Sequence, residues 1–181
     1  KMKTTETGLN QCYVIEPTIH GDERGYFLES YNQSNFNTAL GFKVDFIQDN
    51  EAFSTKGVLR GLHFQKGEFA QAKLVRVTQG KVLDVAVDLR PESSTFLKSF
   101  TIELSAENKK QLFVPRGFAH GYIVLSETAL FNYKCDNIYN KASESGIIYN
   151  DNSLNIDWIL DPLDFNISDK DKVLPTVKSL F

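Results

Sequence analysis

Only three of the 181 residues are histidines, and two of them sit among groups that could move protons. His63 lies in "GVLRGLHFQ", three residues after Arg60 and two before Gln65, and Lys73 and Arg76 follow in "AKLVR". His120 closes "PRGFAH". An imidazole titrates near neutral pH, so it can take a proton, give one or ligate a metal. The lysine decides between these. A divalent cation wants neutral nitrogens and anionic oxygens and repels an ammonium in its coordination sphere. His63, Lys73 and His120 therefore read as metal-free acid–base machinery, with no metal ligands and no cofactor expected. A solitary histidine on a strand is ordinarily structural, and the basic neighbours are what raise His63 above that. On a regular strand Arg60 and His63 have opposite parity; both can face one pocket only across a bulge, which Gly61 could provide.

The elements that must carry these residues are mostly strands. "QCYVIEP", "GYFLESY", "FLKSFTIEL", "KQLFVP", "GYIVLS" and "ALFNYKC" are short β-type runs separated by Gly, Pro, Ser and Asn turns. "KVLDVAVDLR" alternates, with Leu83, Val85, Val87 and Leu89 on one face and Asp84, Ala86, Asp88 and Arg90 on the other. Helix is scarce. "SYNQSNFNTALG" predicts a short helix beginning at Ser30 or Asn32 and ending near Gly41, and "LDFNISDKDKVLPTVKSLF" predicts loop with a short helical tail. The pattern is that of one mainly β domain, 1–181, built as a closed or sandwiched antiparallel sheet with a few short helices.

Composition sets limits. A chain of this length fills one core, and 41% hydrophobic with 24% charged residues is ordinary for a soluble globular protein. A net charge of −3 and a pI near 5.6 lack the basic excess of nucleic-acid or membrane-surface binders, so neither is an expected partner. Cys12 and Cys135 are too few for a disulfide framework. No apolar run reaches the ~18 residues of a membrane span, and the N-terminus lacks the apolar stretch of a secretory signal, so the cytoplasm is the default compartment, with Met2 the expected natural start.

Gly57, His63 and Gly80, with Pro115, Gly117 and His120, match the spacing of the two motifs of cupin barrels, G-x5-H-x-H-x3-4-E-x6-G and P-x-G-x2-H. The central half of the chain thus resembles the cupin superfamily, which implies a double-stranded β-helix, or jelly-roll barrel. Gln65 stands where the motif has its second histidine, and Lys73 stands where it has its carboxylate. "GDERGYFLESYN", "FIQDN", "VLRGLHFQ", "AKLVRV", "DVAVDLR", "LSAENKKQLFVPRGFAHGYIVLSE", "YKCDNIY" and "SDKD" extend the resemblance over about residues 10–175. Together they are similar to the dTDP-4-dehydrorhamnose 3,5-epimerases.

That resemblance implies a metal-free enzyme, usually a homodimer, acting on a nucleotide-linked 4-keto-6-deoxy sugar, dTDP-4-keto-6-deoxyglucose, in dTDP-L-rhamnose synthesis. It makes His63 the base, Asp171 of "SDKD" its carboxylate partner, Lys73 the partner of the developing oxyanion and Tyr133 the proton donor. His120, Tyr139, Glu144 and Lys170 become substrate contacts. Arg24 and Arg60 fall to the diphosphate, whose oxygens suit guanidinium forks. Phe27 and Glu29 fall to the thymine, and Gln48, Asp49 and Asn50 to further polar contacts. The tail from about 160 to 181 is expected near the site, and an exposed N-terminal strand would suit exchange between subunits. "SESGIIYND" departs from the family pattern at Ser145, Gly146 and Tyr149. A relative inverting C3 alone or using another 4-keto sugar, a metal-dependent cupin and a non-catalytic sugar-binding module remain the alternatives.

Overall fold

A computed structural model describes all 181 residues. Its strands are β1 (Lys3–Glu6), β2 (Tyr13–Glu16), β3 (Ile19–Asp22), β4 (Gly25–Leu28), β5 (Gln48–Thr55), β6 (Leu59–Gln65) and β7 (Lys73–Gln79), followed by β8 (Lys81–Asp88), β9 (Ser99–Ser105), β10 (Gln111–Val114), β11 (Phe118–Val124), β12 (Thr128–Cys135) and β13 (Glu144–Gly146). One sheet has the order β1-β2-β10-β7-β12-β5 and the other β13-β6-β11-β8-β9; β3 and β4 form a separate hairpin. Val14, Val75, Val77, Leu112 and Phe131 of the first sheet pack against Val82, Ala86, Leu104, Phe118 and Tyr122 of the second. The inner faces of an antiparallel sandwich thus make the central core, the mainly β jelly-roll architecture expected. No helix is long and apolar enough to cross a membrane.

Both sheets are covered on their outer faces as well. Leu59, Leu62, Leu83, Val85, Val87 and Ile123 pack outward against Ile147, Leu154, Trp158, Ile167 and Val177 of the C-terminal region. The apolar face of "KVLDVAVDLR" is therefore turned away from the sandwich centre, and the face with Asp84 and Ala86 is turned into it. On the other side, helix α1 (Gln33–Leu40) sets Phe36 and Leu40 against Ile15, Leu74 and Phe113. Asn32 caps this helix by accepting from the Asn35 N–H at 3.0 Å, and Gly41 ends it at φ +80°. Strand β5 carried no clear sequence signal, because its exposed edge position lets "QDNEAFST" be polar on most of its length.

Two features aim the residues of the site. First, β6 pairs with β11 through His63↔His120 and Arg60↔Tyr122, so Gly61 and Leu62 of β6 oppose Gly121 alone on β11. The extra residue is the bulge anticipated at Gly61, and it turns Arg60 and His63 toward the same interior. Gly61 has φ +123°, and a Cβ there would come within 2.7 Å of Gly121 Cα. Second, the tail runs beside the start of β6: Leu59 N–H donates to Asn166 O at 3.0 Å, and Asn166 N–H donates to Gly57 O at 2.9 Å. It then turns into α2 (Asp169–Lys172), capped by Ser168, and ends in α3 (Val177–Leu180).

Gly61→Ala is expected to destabilise the protein by more than about 1 kcal/mol, since the added methyl meets both the positive φ and the neighbouring backbone. Urea denaturation measures this, and stability equal to wild type would mean that the strands separate there without cost.

Candidate active site

At the bulge the tail meets the strand. His63 Nε2 lies 2.7 Å from Asp171 Oδ1, and Gly61 N–H donates to Asp171 Oδ2 at 3.1 Å. Asp171 is buried while His63 is partly open. Burial pushes the Asp171 carboxyl up, but the hydrogen bond and charge of His63 and the Gly61 N–H outweigh it and leave the group below the ordinary carboxylate range. An ionised Asp171 draws the proton to Nε2, which leaves Nδ1 with its lone pair as the basic nitrogen. The distance from residue 63 to residue 171 along the chain hides this pair from any local motif.

A second histidine–carboxylate pair lies deeper. His120 Nε2 is 2.7 Å from Asp84 Oδ1, with both side chains buried. Facing them from the other sheet are Lys73 of β7 and Tyr133 of β12, with the Lys73 ammonium 5.5 Å from the centre of the Tyr133 ring. Loss of water pulls the Lys73 ammonium below its ordinary range. Burial pushes the Tyr133 phenol above its own, so it keeps its proton at neutral pH.

His63, Lys73, His120 and Tyr133 line a cavity of about 530 Å³ together with Arg60, Tyr122, Lys170 and Asp171. The same four also line a smaller adjoining cavity that reaches Gln65, Tyr139 and Glu144. The size suits an organic ligand. The donor set is a poor one for a divalent metal, because the Lys73 ammonium faces the two imidazoles where an anionic oxygen would be needed. Gln65 serves the backbone instead. Its amide donates to Phe69 O at 2.8 Å and Ile138 O at 3.0 Å and accepts from Asn140 N–H at 2.8 Å. These bonds pin the loop that carries Tyr139 and Glu144.

At the rim, Glu144 accepts from Lys170 Nζ at 2.6 Å and from Tyr139 Oη at 2.8 Å, joining the loop after β12 to α2. Arg60 is steadied by Ser54, whose Oγ accepts from Nε at 3.1 Å and from Nη2 at 3.0 Å. Of the remaining sequence candidates, Asn50 sits opposite Tyr133 across β5 and β12 and hydrogen-bonds its side chain, while the others lie apart within this chain. Arg24 is tied to Asp22 on the β3–β4 hairpin, where Phe27 is 70% exposed. Glu29 accepts from Asn35 Nδ2 at 3.1 Å. Gln48 donates to Asn50 at 2.9 Å and Asp49 accepts from Lys134 at 2.8 Å; Asp49 and Asn50 border a small cavity that Tyr133 also lines. Tyr149 packs edge-on against Phe165 in the C-terminal layer, and Gly146 pairs with His63 beside Leu62. Sequence reasoning assigned no role to Asp84 or Ser54; the signal for Asp84 was a lone acid within an apolar run.

The family model of dTDP-4-dehydrorhamnose 3,5-epimerase matches residues 6–179. The chain belongs to this family. It is 53% identical to the dTDP-4-dehydrorhamnose 3,5-epimerase of Shigella flexneri over 94% of this chain and 93% of that protein. The crystal structure of the enzyme of that name from Elizabethkingia anophelis superposes with a TM-score of 0.96 at 56% identity, covering 98% of this chain and 97% of the other. The dTDP-6-deoxy-D-glucose-3,5-epimerase of Legionella pneumophila, solved with dTDP-4-keto-L-rhamnose, gives 0.95 at 44% identity over 100% and 95%. The chain is accordingly an isomerase of the epimerase class.

Gln65→Ala removes three hydrogen bonds to buried or half-buried backbone, at about 1 kcal/mol each. Thermal unfolding should reveal a loss of about 2–3 kcal/mol, with a raised KM from the loosened Tyr139–Glu144 loop; an unchanged KM would mean that the loop is held by other contacts.

Proposed function

We propose that this epimerase inverts C3 and C5 of dTDP-4-dehydro-6-deoxy-D-glucose, giving dTDP-4-dehydro-L-rhamnose for dTDP-L-rhamnose synthesis in the cytoplasm, and that residues 1–181 act as one domain closed by the tail. A hydrogen on a carbon beside the C4 ketone is acidic because its loss leaves an enolate. His63 Nδ1 takes that proton, and Asp171 steadies the imidazolium that forms. A positioned base contributes about 10²–10⁴-fold. Charge grows on the C4 oxygen as the proton leaves, and Lys73 supplies the cation for it, with His120 as a further donor; such a donor is worth about 3–4 kcal/mol. Tyr133 returns a proton to the carbon from the opposite face, which inverts the centre.

One observation carries this reading. His63 extends from the five-stranded sheet and Tyr133 from the six-stranded sheet, and both line the same cavity. Inversion needs a base and an acid on opposite faces of a planar enolate, and the two walls of the sandwich supply them. Arg60 suits the diphosphate. The exposed hairpin with Arg24 and Phe27 suits a second copy of the chain, in which the guanidinium and aromatic face reach the neighbouring nucleotide; the working form is then a homodimer.

Turnover of dTDP-4-dehydro-6-deoxy-D-glucose in D₂O, followed by NMR, tests this. Deuterium is expected at both C3 and C5. Label at C3 alone would make the protein a mono-epimerase, and binding without any exchange would make it a sugar-binding module.

A further inference from the structure

Asp84 is a buried acid of the inner face that the proposed chemistry leaves unused. It is fully buried on β8, its Oδ1 meets His120 Nε2 at 2.7 Å, and its Oδ2 is buried with no hydrogen-bond partner. His120 and Tyr122 face it from β11, Lys73 from β7 and Cys12 from the turn before β2. A carboxylate buried with one oxygen unpaired is costly, and a neutral amide would fill the same space. Its charge therefore calls for an explanation beyond packing.

We infer that Asp84 is a positioning residue that keeps the electrophilic wall of the pocket protonated: its carboxylate holds His120 as the Nε2–H form and keeps the ammonium on Lys73. This rests on Lys73 acting at the C4 oxygen as proposed above. Dehydration drives the Lys73 ammonium toward the neutral amine, and the negative charges of Cys135, Asp84 and Glu144 oppose it. Glu144 is already paired with Lys170, and burial pushes the Cys135 thiol up, toward its neutral form. Burial pushes the Asp84 carboxyl up as well, but the charge and hydrogen bond of His120 and the charge of Lys73 oppose it, which couples Asp84 to both. Fixing the Nε2 proton also leaves His120 Nδ1 for a second proton, so the histidine can turn a donor toward the substrate while Asp84 neutralises it from behind.

Asp84→Asn keeps the shape and an oxygen for His120 and removes the charge. An anion raises the pKa of a nearby ammonium, so its loss must lower that of Lys73. In NMR titrations of the amino group the Lys73 midpoint is expected to move to lower pH in the variant, and the alkaline limb of kcat to move with it. At neutral pH kcat should fall about tenfold or more, with KM changed less than about twofold. An unmoved midpoint and an unmoved alkaline limb would overturn the inference, whatever the loss in kcat. Lys73→Met separates it from the reading on which it rests: full turnover there removes Lys73 from the chemistry, while the titration still reports on Asp84. Should Asp84→Asn fail to fold, ¹⁵N spectra of the wild-type protein serve instead. A protonated Nε2 on His120 across the neutral range is expected, and an Nδ1–H tautomer would overturn the role.

Discussion

A hydrogen bond 108 residues long in sequence, from His63 to Asp171, joins the tail to the strand that carries the proposed base. The rest of the molecule can be read as the means of making it. The bulge at Gly61 turns His63 inward and frees the Gly61 N–H for the other carboxylate oxygen. The bridge between Asn166 and the residues around Val58 sets the tail in register, and Ser168 caps the turn of helix that delivers Asp171. The apolar layer beneath, with Trp158, Ile167 and Val177 against β6 and β8, is what holds the tail there. Hydrophobic burial supplies the energy, and the polar contacts choose the geometry.

In the proposed reaction the barrel interior serves as a metal-type cradle without a metal. A bound cation would polarise a carbonyl as a Lewis acid. In the proposed chemistry the positive charge comes from Lys73, a group that the neighbouring strand can position and that dehydration makes readier to share its proton. Gln65 gives up ligation to become an anchor for the loop above the site. Both substitutions retain the architecture and replace its chemistry.

Much of this was legible in the sequence, for physical reasons. Strand periodicity, the Asn32 and Gly41 helix ends and the conflict of parity between Arg60 and His63 are local, and each came out as the residues predicted. Long-range pairings were not local. The position of Asp171 came from resemblance, because nothing in "SDKD" by itself distinguishes a buried partner from a solvated tail. Asp84 was visible only as a member of a strand face. In an ordinary half-exposed strand that face would look to water, but here both faces of β8 are covered, and the polar one looks into the sandwich interior, where Asp84 meets His120. Arg24 and Phe27 carry the opposite lesson: their types suit a nucleotide, yet the hairpin that bears them stands clear of the cavity in a single chain.

The claim that matters most is the division of labour between the two walls, with proton removal from the His63 side and delivery from the Tyr133 side. Position-resolved hydrogen exchange in D₂O by His63→Asn and Tyr133→Phe, each checked for a retained fold, tests it directly. The tyrosine variant should still exchange the hydrogen beside the ketone while failing to invert the carbon, and the histidine variant should do neither. Equal loss of exchange in both, or full inversion without the phenol, would contradict the account.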